Sequence, residues 1–133
     1  MARYMSLYLA SAVVFFVIDF VWLSLAGPTL YKREIGQLLL DQPNLLVAAG
    51  FYLFYVLGLV VLVTAPANGD VVRALLMGAV LGFVAYGTYD LTNLSTMRGF
   101  TPTIAAIDMA WGTFLTAVSA AAGVFLVNRF LPG

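Results

Sequence analysis

Three acidic residues lie inside stretches of the chain that are otherwise apolar enough to be buried in a membrane. Asp19, Asp90 and Asp108 each interrupt a long run of mostly apolar residues. A carboxylate at the centre of a membrane helix costs roughly 2.5–3.5 kcal/mol on insertion scales, and such groups usually mark binding sites or proton relays. These three aspartates are therefore the candidate catalytic residues, as an acid and a base or as ligand-binding carboxylates.

The composition indicates an integral membrane protein. Of the 133 residues, 63% are hydrophobic and only 9% are charged. Crossing a hydrocarbon core of about 30 Å takes about 20 helical residues, and four segments reach that length: 4–26, 44–65, 71–94 and 103–127. The sequence therefore predicts an all-α fold, with one domain over residues 1–133 built as a bundle of four transmembrane helices.

The residue types that the chain lacks exclude several kinds of site. Cysteine and histidine are absent, which removes disulfides, thiolate or imidazole metal sites and a histidine base. The net charge is zero and no basic tail exists, so no nucleic acid partner is expected. Three aspartates with Asn93 suit Mg²⁺ or Ca²⁺ in ligand type, but ligands from three helices have no diagnostic spacing. No metal residues are assigned and no cofactor is named.

The topology of four spans predicts that the aspartates share one end of the bundle. The carboxyl ends of helices one and three and the amino ends of helices two and four lie on the same side of the membrane. At about 1.5 Å per residue, Asp19 lies roughly 10 Å from its helix end, and Asp90 and Asp108 roughly 6–8 Å from theirs. We therefore expect a polar pocket in one leaflet.

A polar stripe on helix three continues into small residues. Tyr86, Asp90 and Asn93 are spaced at i, i+4 and i+7, so they share one helix face. Small residues let membrane helices approach closely. We expect helices three and four to pack through two ridges of such residues, namely Ala74, Gly78 and Gly82 on helix three and Gly112, Thr116 and Ala120 on helix four.

Both tryptophans of the chain follow an aspartate by three residues. Trp22 follows Asp19 and Trp111 follows Asp108, so each indole lies on the face of its carboxylate and can donate one hydrogen bond. The alternative is that these tryptophans belong to an interfacial belt. Aromatic residues of helix two at the same depth are interpreted as packing or as a lining for an apolar tail. The predicted ligand-binding residues are Trp22, Tyr86, Tyr89, Asn93, Trp111 and Arg98.

The connection 27–43 is the longest in the chain. Its apolar residues recur near helical spacing opposite Lys32 and Arg33, which predicts a short amphipathic helix in the interface that could cover one mouth of the bundle. A solvated loop is the alternative. Gly27-Pro28 is expected to end helix one. With Arg98, the two basic residues lie on the carboxylate side, where an anionic head group or phosphate could be met.

Four short segments carry a resemblance to a known family. They are 18–23, 49–53, 86–94 and 107–112, and the most specific is Tyr-Asp-Leu-Thr-Asn within 86–94. These segments resemble the small bacterial membrane-protein family catalogued as domain of unknown function 2177. The resemblance implies a multi-pass protein of the bacterial inner (cytoplasmic) membrane. It implies no chemistry.

Three functions remain open. The first is a protein that binds or modifies a lipid or isoprenoid-type ligand, with its polar group among the carboxylates and its tail between helices; whether it is an enzyme is left open. The second is a proton-coupled transporter of small molecules that works as a dimer. Basic residues are balanced between the two sides, so the orientation is undecided and an antiparallel homodimer is permitted.

The third function is a structural or accessory subunit. Its aspartates would then only make interhelical hydrogen bonds, or Arg98 would form an ion pair with Asp90 or Asp108. Measured interhelical hydrogen bonds average about 0.6 kcal/mol, so three buried carboxylates are an expensive means of packing. The bilayer itself and an amphiphilic small molecule are the expected partners.

Overall fold

The computed structural model describes residues 2–131. The domain predicted over 1–133 also included Met1, Pro132 and Gly133, which lie outside the described residues. The helices are α1 (Ala2–Ala26), α2 (Lys32–Ile35), α3 (Leu45–Leu59), α4 (Val71–Thr96) and α5 (Pro102–Phe130). The described part of the chain contains no strand.

Four helical segments are long and apolar enough to cross a membrane. They are Ala2–Leu38, Leu45–Thr64, Val71–Thr96 and Pro102–Phe130. The first includes a π-helical turn, α2 and a 3₁₀ turn after α1, and the second includes a π-helical turn after α3. The predicted all-α fold with four membrane-spanning helices is therefore confirmed.

Side-chain caps fix where three of the helices begin. Asn44 accepts a hydrogen bond from the Val47 amide (3.1 Å) and Asp70 accepts one from the Arg73 amide (3.0 Å). At the start of α5, the Thr101 hydroxyl oxygen accepts a hydrogen bond from the Ile104 amide (3.2 Å), directly before Pro102. Such residues satisfy amide groups that have no partner within the helix, and proline is tolerated at the first helical position because its missing N–H would be unpaired there.

The chain does not leave the helical path at Gly27-Pro28. α1 ends at Ala26, as predicted, but the π-helical turn Gly27–Tyr31 joins it to α2. The Thr29 hydroxyl donates to the Leu25 carbonyl (2.6 Å), a hydrogen bond that spans the junction between α1 and this turn. The predicted end of the α-helix is thus confirmed, while the predicted break in the chain's helical course is wrong.

Residues 27–38, which we call the cap segment, cover the end of the bundle. Ile35 is buried with Phe100 and Ile104, whereas Lys32 is exposed. Thr101 donates a hydrogen bond to Glu34 (2.7 Å), which fastens the cap segment to the start of α5. The amphipathic helix is confirmed as α2, and a solvated loop without helix is limited to residues 39–44.

α4 and α5 share the most extensive contact of any two helices in the described residues, and small residues line it. A Cβ atom added to Gly82 would lie 2.5 Å from the Gly112 carbonyl oxygen. A Cβ atom at Gly78 would lie 3.0 Å from the Ala117 Cα atom. The first distance is too short for a real side chain, so the contact requires glycine at position 82, and the second leaves a side chain at position 78 only a tight fit. The predicted packing of helices three and four through small-residue ridges is confirmed.

The bundle is closed in one half and less tightly packed in the other. In the half away from the aspartates, an apolar cluster that includes Leu7, Leu59 and Val124 joins the helices. α3 itself packs mainly against α1, and its π-helical turn Val60–Thr64 makes the main contacts with α4 and α5. Towards its beginning at Leu45, α3 therefore separates from α4, and space remains between them.

Candidate functional site

A cavity of about 470 Å³ occupies the end of the bundle beneath the cap segment. Asp19, Asp90 and Asp108 all line it, although they come from three different helices. Four of the predicted neighbours also line it: Trp22, Tyr86, Tyr89 and Trp111. α1 and α4 supply groups from near their carboxyl ends and α5 from near its amino end, as expected from the topology of short connections between antiparallel spans.

Asp19 is held by a tryptophan from another helix. The Trp111 indole N–H donates a hydrogen bond to one oxygen of Asp19 (3.1 Å). The other oxygen is buried without a completed hydrogen bond, and the Tyr52 hydroxyl lies close to this carboxyl group. This contact joins α5 to α1 across the cavity, so Trp111 is a polar partner of a carboxylate and not simply a residue of an interfacial belt.

Asp108 is held by a tyrosine of the cap segment. The Tyr31 hydroxyl donates a hydrogen bond to Asp108, and it accepts one from the Trp22 indole N–H (3.1 Å). Trp22 thus acts on Asp108 through Tyr31. Because Tyr31 belongs to the cap segment, the position of that segment and the hydrogen bonding of Asp108 are linked.

Each tryptophan contributes to the hydrogen bonding of the aspartate from the other Asp-x-x-Trp pair. Their rings are stacked, with centroids 4.4 Å apart and planes inclined by 10°. Trp111 donates to Asp19, and Trp22 reaches Asp108 through Tyr31, so neither indole bonds the aspartate of its own Asp-x-x-Trp pair. The repeated motif therefore forms one shared assembly between α1 and α5.

Asp90 differs from the other two aspartates. Its side chain is 0% exposed, and neither carboxyl oxygen has a hydrogen-bond partner in the structure. The Asp108 carboxyl lies close beside it, but the geometry of the two groups does not complete a hydrogen bond. Buried polar groups are nearly always hydrogen-bonded, so a carboxyl group without a partner in a cavity wall is an exception that a purely structural role does not explain.

Basic residues are absent from the cavity wall. Its lining contains no lysine or arginine. Among residues 2–131 the one ion pair joins Arg33 to Glu34 (3.3 Å). Arg98 is exposed and forms no bridge to Asp90 or Asp108, and the half-buried Asn93 also lies outside the lining. The described residues contain no group of three or more acidic side chains placed to hold a metal ion.

Three tyrosines in the cavity wall were not among the predicted site residues. They are Tyr31, Tyr52 and Tyr55. The Tyr55 hydroxyl hydrogen-bonds Thr116 of α5 (2.9 Å). The pocket side of α3 was visible as an aromatic cluster in the sequence, whereas the only sign of Tyr31 was its place on the apolar face of the predicted amphipathic helix.

A family model described as a predicted membrane protein, DUF2177, matches residues 4–125 of the chain. The chain belongs to the DUF2177 family. The match includes all three aspartates, both tryptophans and Tyr31 of this DUF2177 protein. No curated protein and no solved structure matches the chain.

The stacked indoles of this DUF2177 protein make a spectroscopic prediction. Two chromophores in contact couple their electronic transitions, so we expect an exciton couplet in the circular dichroism of the indole bands. Because the chain has only two tryptophans, Trp22→Phe and Trp111→Phe should each remove the whole couplet. Single variants that each remove about half of the signal would contradict the stacking, since they would show two independent chromophores.

Proposed function

We propose that this DUF2177 protein binds an amphiphilic molecule of the lipid or isoprenoid type within the bacterial inner membrane. The polar group of the ligand lies among Asp19, Asp90 and Asp108, and its apolar tail leaves the cavity between α3 and α4. The single observation that carries the proposal is the orphaned, fully buried carboxyl of Asp90 in the wall of an aromatic cavity.

The loose packing between α3 and α4 supports access from the bilayer. Phe51 of α3 and Tyr89 of α4 both line the cavity, and they are 59% and 57% exposed. In a membrane, side chains exposed at this depth meet acyl chains and not water. A ligand whose tail remains in the leaflet can therefore bring its polar end to the carboxyl groups without crossing the cap segment.

The pattern of hydrogen bonds argues against a purely accessory role. Asp19 accepts from Trp111 and Asp108 accepts from Tyr31, and both contacts join separate elements. A structural role accounts for these two residues. It does not account for Asp90, because burying a carboxyl without a partner costs stability and contributes no contact.

Proton-coupled transport is the second candidate. The neighbouring, buried Asp90 and Asp108 favour it, because two acids in one cavity can exchange a proton against a substrate. The apolar cluster around Leu7, Leu59 and Val124 closes the opposite half of the bundle, so a transport cycle needs a rearrangement, within one chain or in a homodimer. Proton flux in liposomes that depends on Asp90 would favour this candidate over simple binding.

The test of ligand binding is mass spectrometry of the protein purified in mild detergent. We expect the wild-type protein to retain a defined amphiphile and Asp90→Asn to retain at most about one tenth of that amount. The reason is that hydrogen bonds to charged groups contribute about 1.5–3 kcal/mol, and about 1.4 kcal/mol corresponds to a tenfold change in affinity. Asp41→Asn is the matched control, since Asp41 is exposed and lies outside the cavity lining. A wild-type protein that carries no defined amphiphile, or equal retention by Asp90→Asn, would overturn the proposal.

A further inference from the structure

The charges and hydrogen-bonding groups of the cavity also specify the polar group that it accepts. We infer that this group is a primary ammonium, carried by an aminolipid or by a long-chain amine. The inference rests on the proposed function and adds to it the chemical class of the ligand.

The buried polar atoms of the wall that lack a hydrogen-bond partner are all carboxyl oxygens. They are both oxygens of Asp90 and one oxygen of Asp19, which has the Tyr52 hydroxyl close to it. In its ionised form, which a cation beside it favours, a carboxyl group only accepts hydrogen bonds, whereas an ammonium group has three donors and no acceptor. A phosphate or a carboxylate on the ligand would bring further acceptors to oxygens that already lack donors. The unpaired atoms of the cavity therefore match a donor-rich head group.

The distribution of charge in the cavity also favours a cationic head group. Asp90 and Asp108 are neighbours in a buried site, and the lining has no lysine or arginine to neutralise them. Two buried carboxylates repel each other strongly because the local dielectric is low, and a cation between them removes that repulsion. An anionic head group would increase it. The exposed Lys32 and Arg33 lie outside this cavity, so the charged side chains that line it are all acidic.

The aromatic wall suits a cation as well. Indole and phenol rings attract ammonium groups through the negative charge of their faces. Trp22, Tyr86 and Tyr89 belong to the same lining as Asp90. A metal ion needs several ligands converging at one point, and the described acidic residues offer no such group. An organic ammonium is held by fewer direct ligands and by these rings.

Competition between defined amphiphiles tests the inference. The wild-type protein in nanodiscs of neutral lipid would be offered hexadecylamine, hexadecanol, phosphatidylethanolamine and phosphatidylglycerol, with binding measured by native mass spectrometry. We expect the amine or the ethanolamine lipid to bind at least about tenfold more tightly than the alcohol and the glycerol lipid. This preference should be lost in Asp90→Asn and kept in Asp41→Asn.

The results separate the inference from the proposed function. Preference for phosphatidylethanolamine alone would support a lipid head group as the source of the ammonium, and preference for hexadecylamine alone would support a free amine. Equal or tighter binding of hexadecanol or phosphatidylglycerol would overturn the ammonium assignment while leaving amphiphile binding intact. Binding of none of the four probes, together with no co-purified amphiphile, would overturn both. The comparison of probes on the wild-type protein does not depend on the folding of any variant.

Discussion

Asp90→Leu is expected to raise the free energy of unfolding, whereas Asp108→Leu is expected to lower it. Asp90 is buried with no partner, so its replacement removes a desolvated carboxyl and no hydrogen bond. Asp108 accepts from Tyr31, and leucine there would leave a donor of the cap segment unpaired. Each change should amount to about 1–3 kcal/mol, with opposite signs. The cavity beside Asp90 gives the larger leucine side chain room.

Thermal unfolding in detergent after delipidation would measure both changes. Removing bound amphiphile first is necessary, because a ligand that binds only the folded protein raises its apparent stability. Asp41→Leu serves as the control, and a change within about 0.5 kcal/mol is expected for this exposed position. A loss of stability in Asp90→Leu equal to that in Asp108→Leu would mean that Asp90 has a structural partner. The accessory hypothesis would then gain support.

Gly112→Ala is expected to have the second large effect. A Cβ atom at this position would lie 2.0–2.3 Å from three ring atoms of Tyr86. The ring cannot stay where it is, and it lies both in the contact between α4 and α5 and in the cavity wall. We expect a loss of about 1–3 kcal/mol of stability from overpacking, accompanied by loss of the retained amphiphile.

The unfolding midpoint and ligand retention would be measured together for this variant. Gly58→Ala is the matched control, because a Cβ atom there meets nothing within 4 Å. Alanine favours a helix over glycine by about 0.5–1 kcal/mol, so the control should be unchanged or slightly more stable. If Gly112→Ala and Gly58→Ala behave alike, the close approach of Tyr86 to α5 is not important for the fold.

The depth of the aspartates was predictable because it depends only on helix rise and on short connections. Asp19, Asp90 and Asp108 lie near the same end of their helices, and the regular rise of an α-helix turns that count into a height. The contact between α4 and α5 was predictable for a related reason. Glycines repeated every four residues on a membrane helix have few other uses.

The role of Tyr31 could not be predicted because it depends on a departure from regular helix geometry. Pro28 is normally taken as a helix stop, so Trp22 and Tyr31 were assigned to separate elements. The π-helical turn keeps them on one path and brings their polar atoms together. The hydrogen-bond partners of the two tryptophans could not be predicted either, because spacing along one helix gives no information about residues on another.

Asn93 and Arg98 were predicted from spacing to line the site, but they lie outside the cavity lining. Asn93 shares a face with Asp90 but lies about 4.5 Å further towards the helix end, which is enough to leave the cavity. Arg98 follows α4 in an exposed turn, and an arginine side chain in water has little reason to enter an apolar wall. Height along the helix thus accounts for Asn93, and exposure to solvent accounts for Arg98.

The unequal lengths of the helices have a consequence for the surrounding lipid. α5 has 29 residues and would extend about 43 Å, while α3 with its π-helical turn has 20 residues and extends about 30 Å. A short span beside long ones creates hydrophobic mismatch, which bilayers relieve by thinning locally or by tilting the longer helices. We therefore expect head groups to dip towards the midplane next to α3, which shortens the distance that a polar group travels to leave the interface.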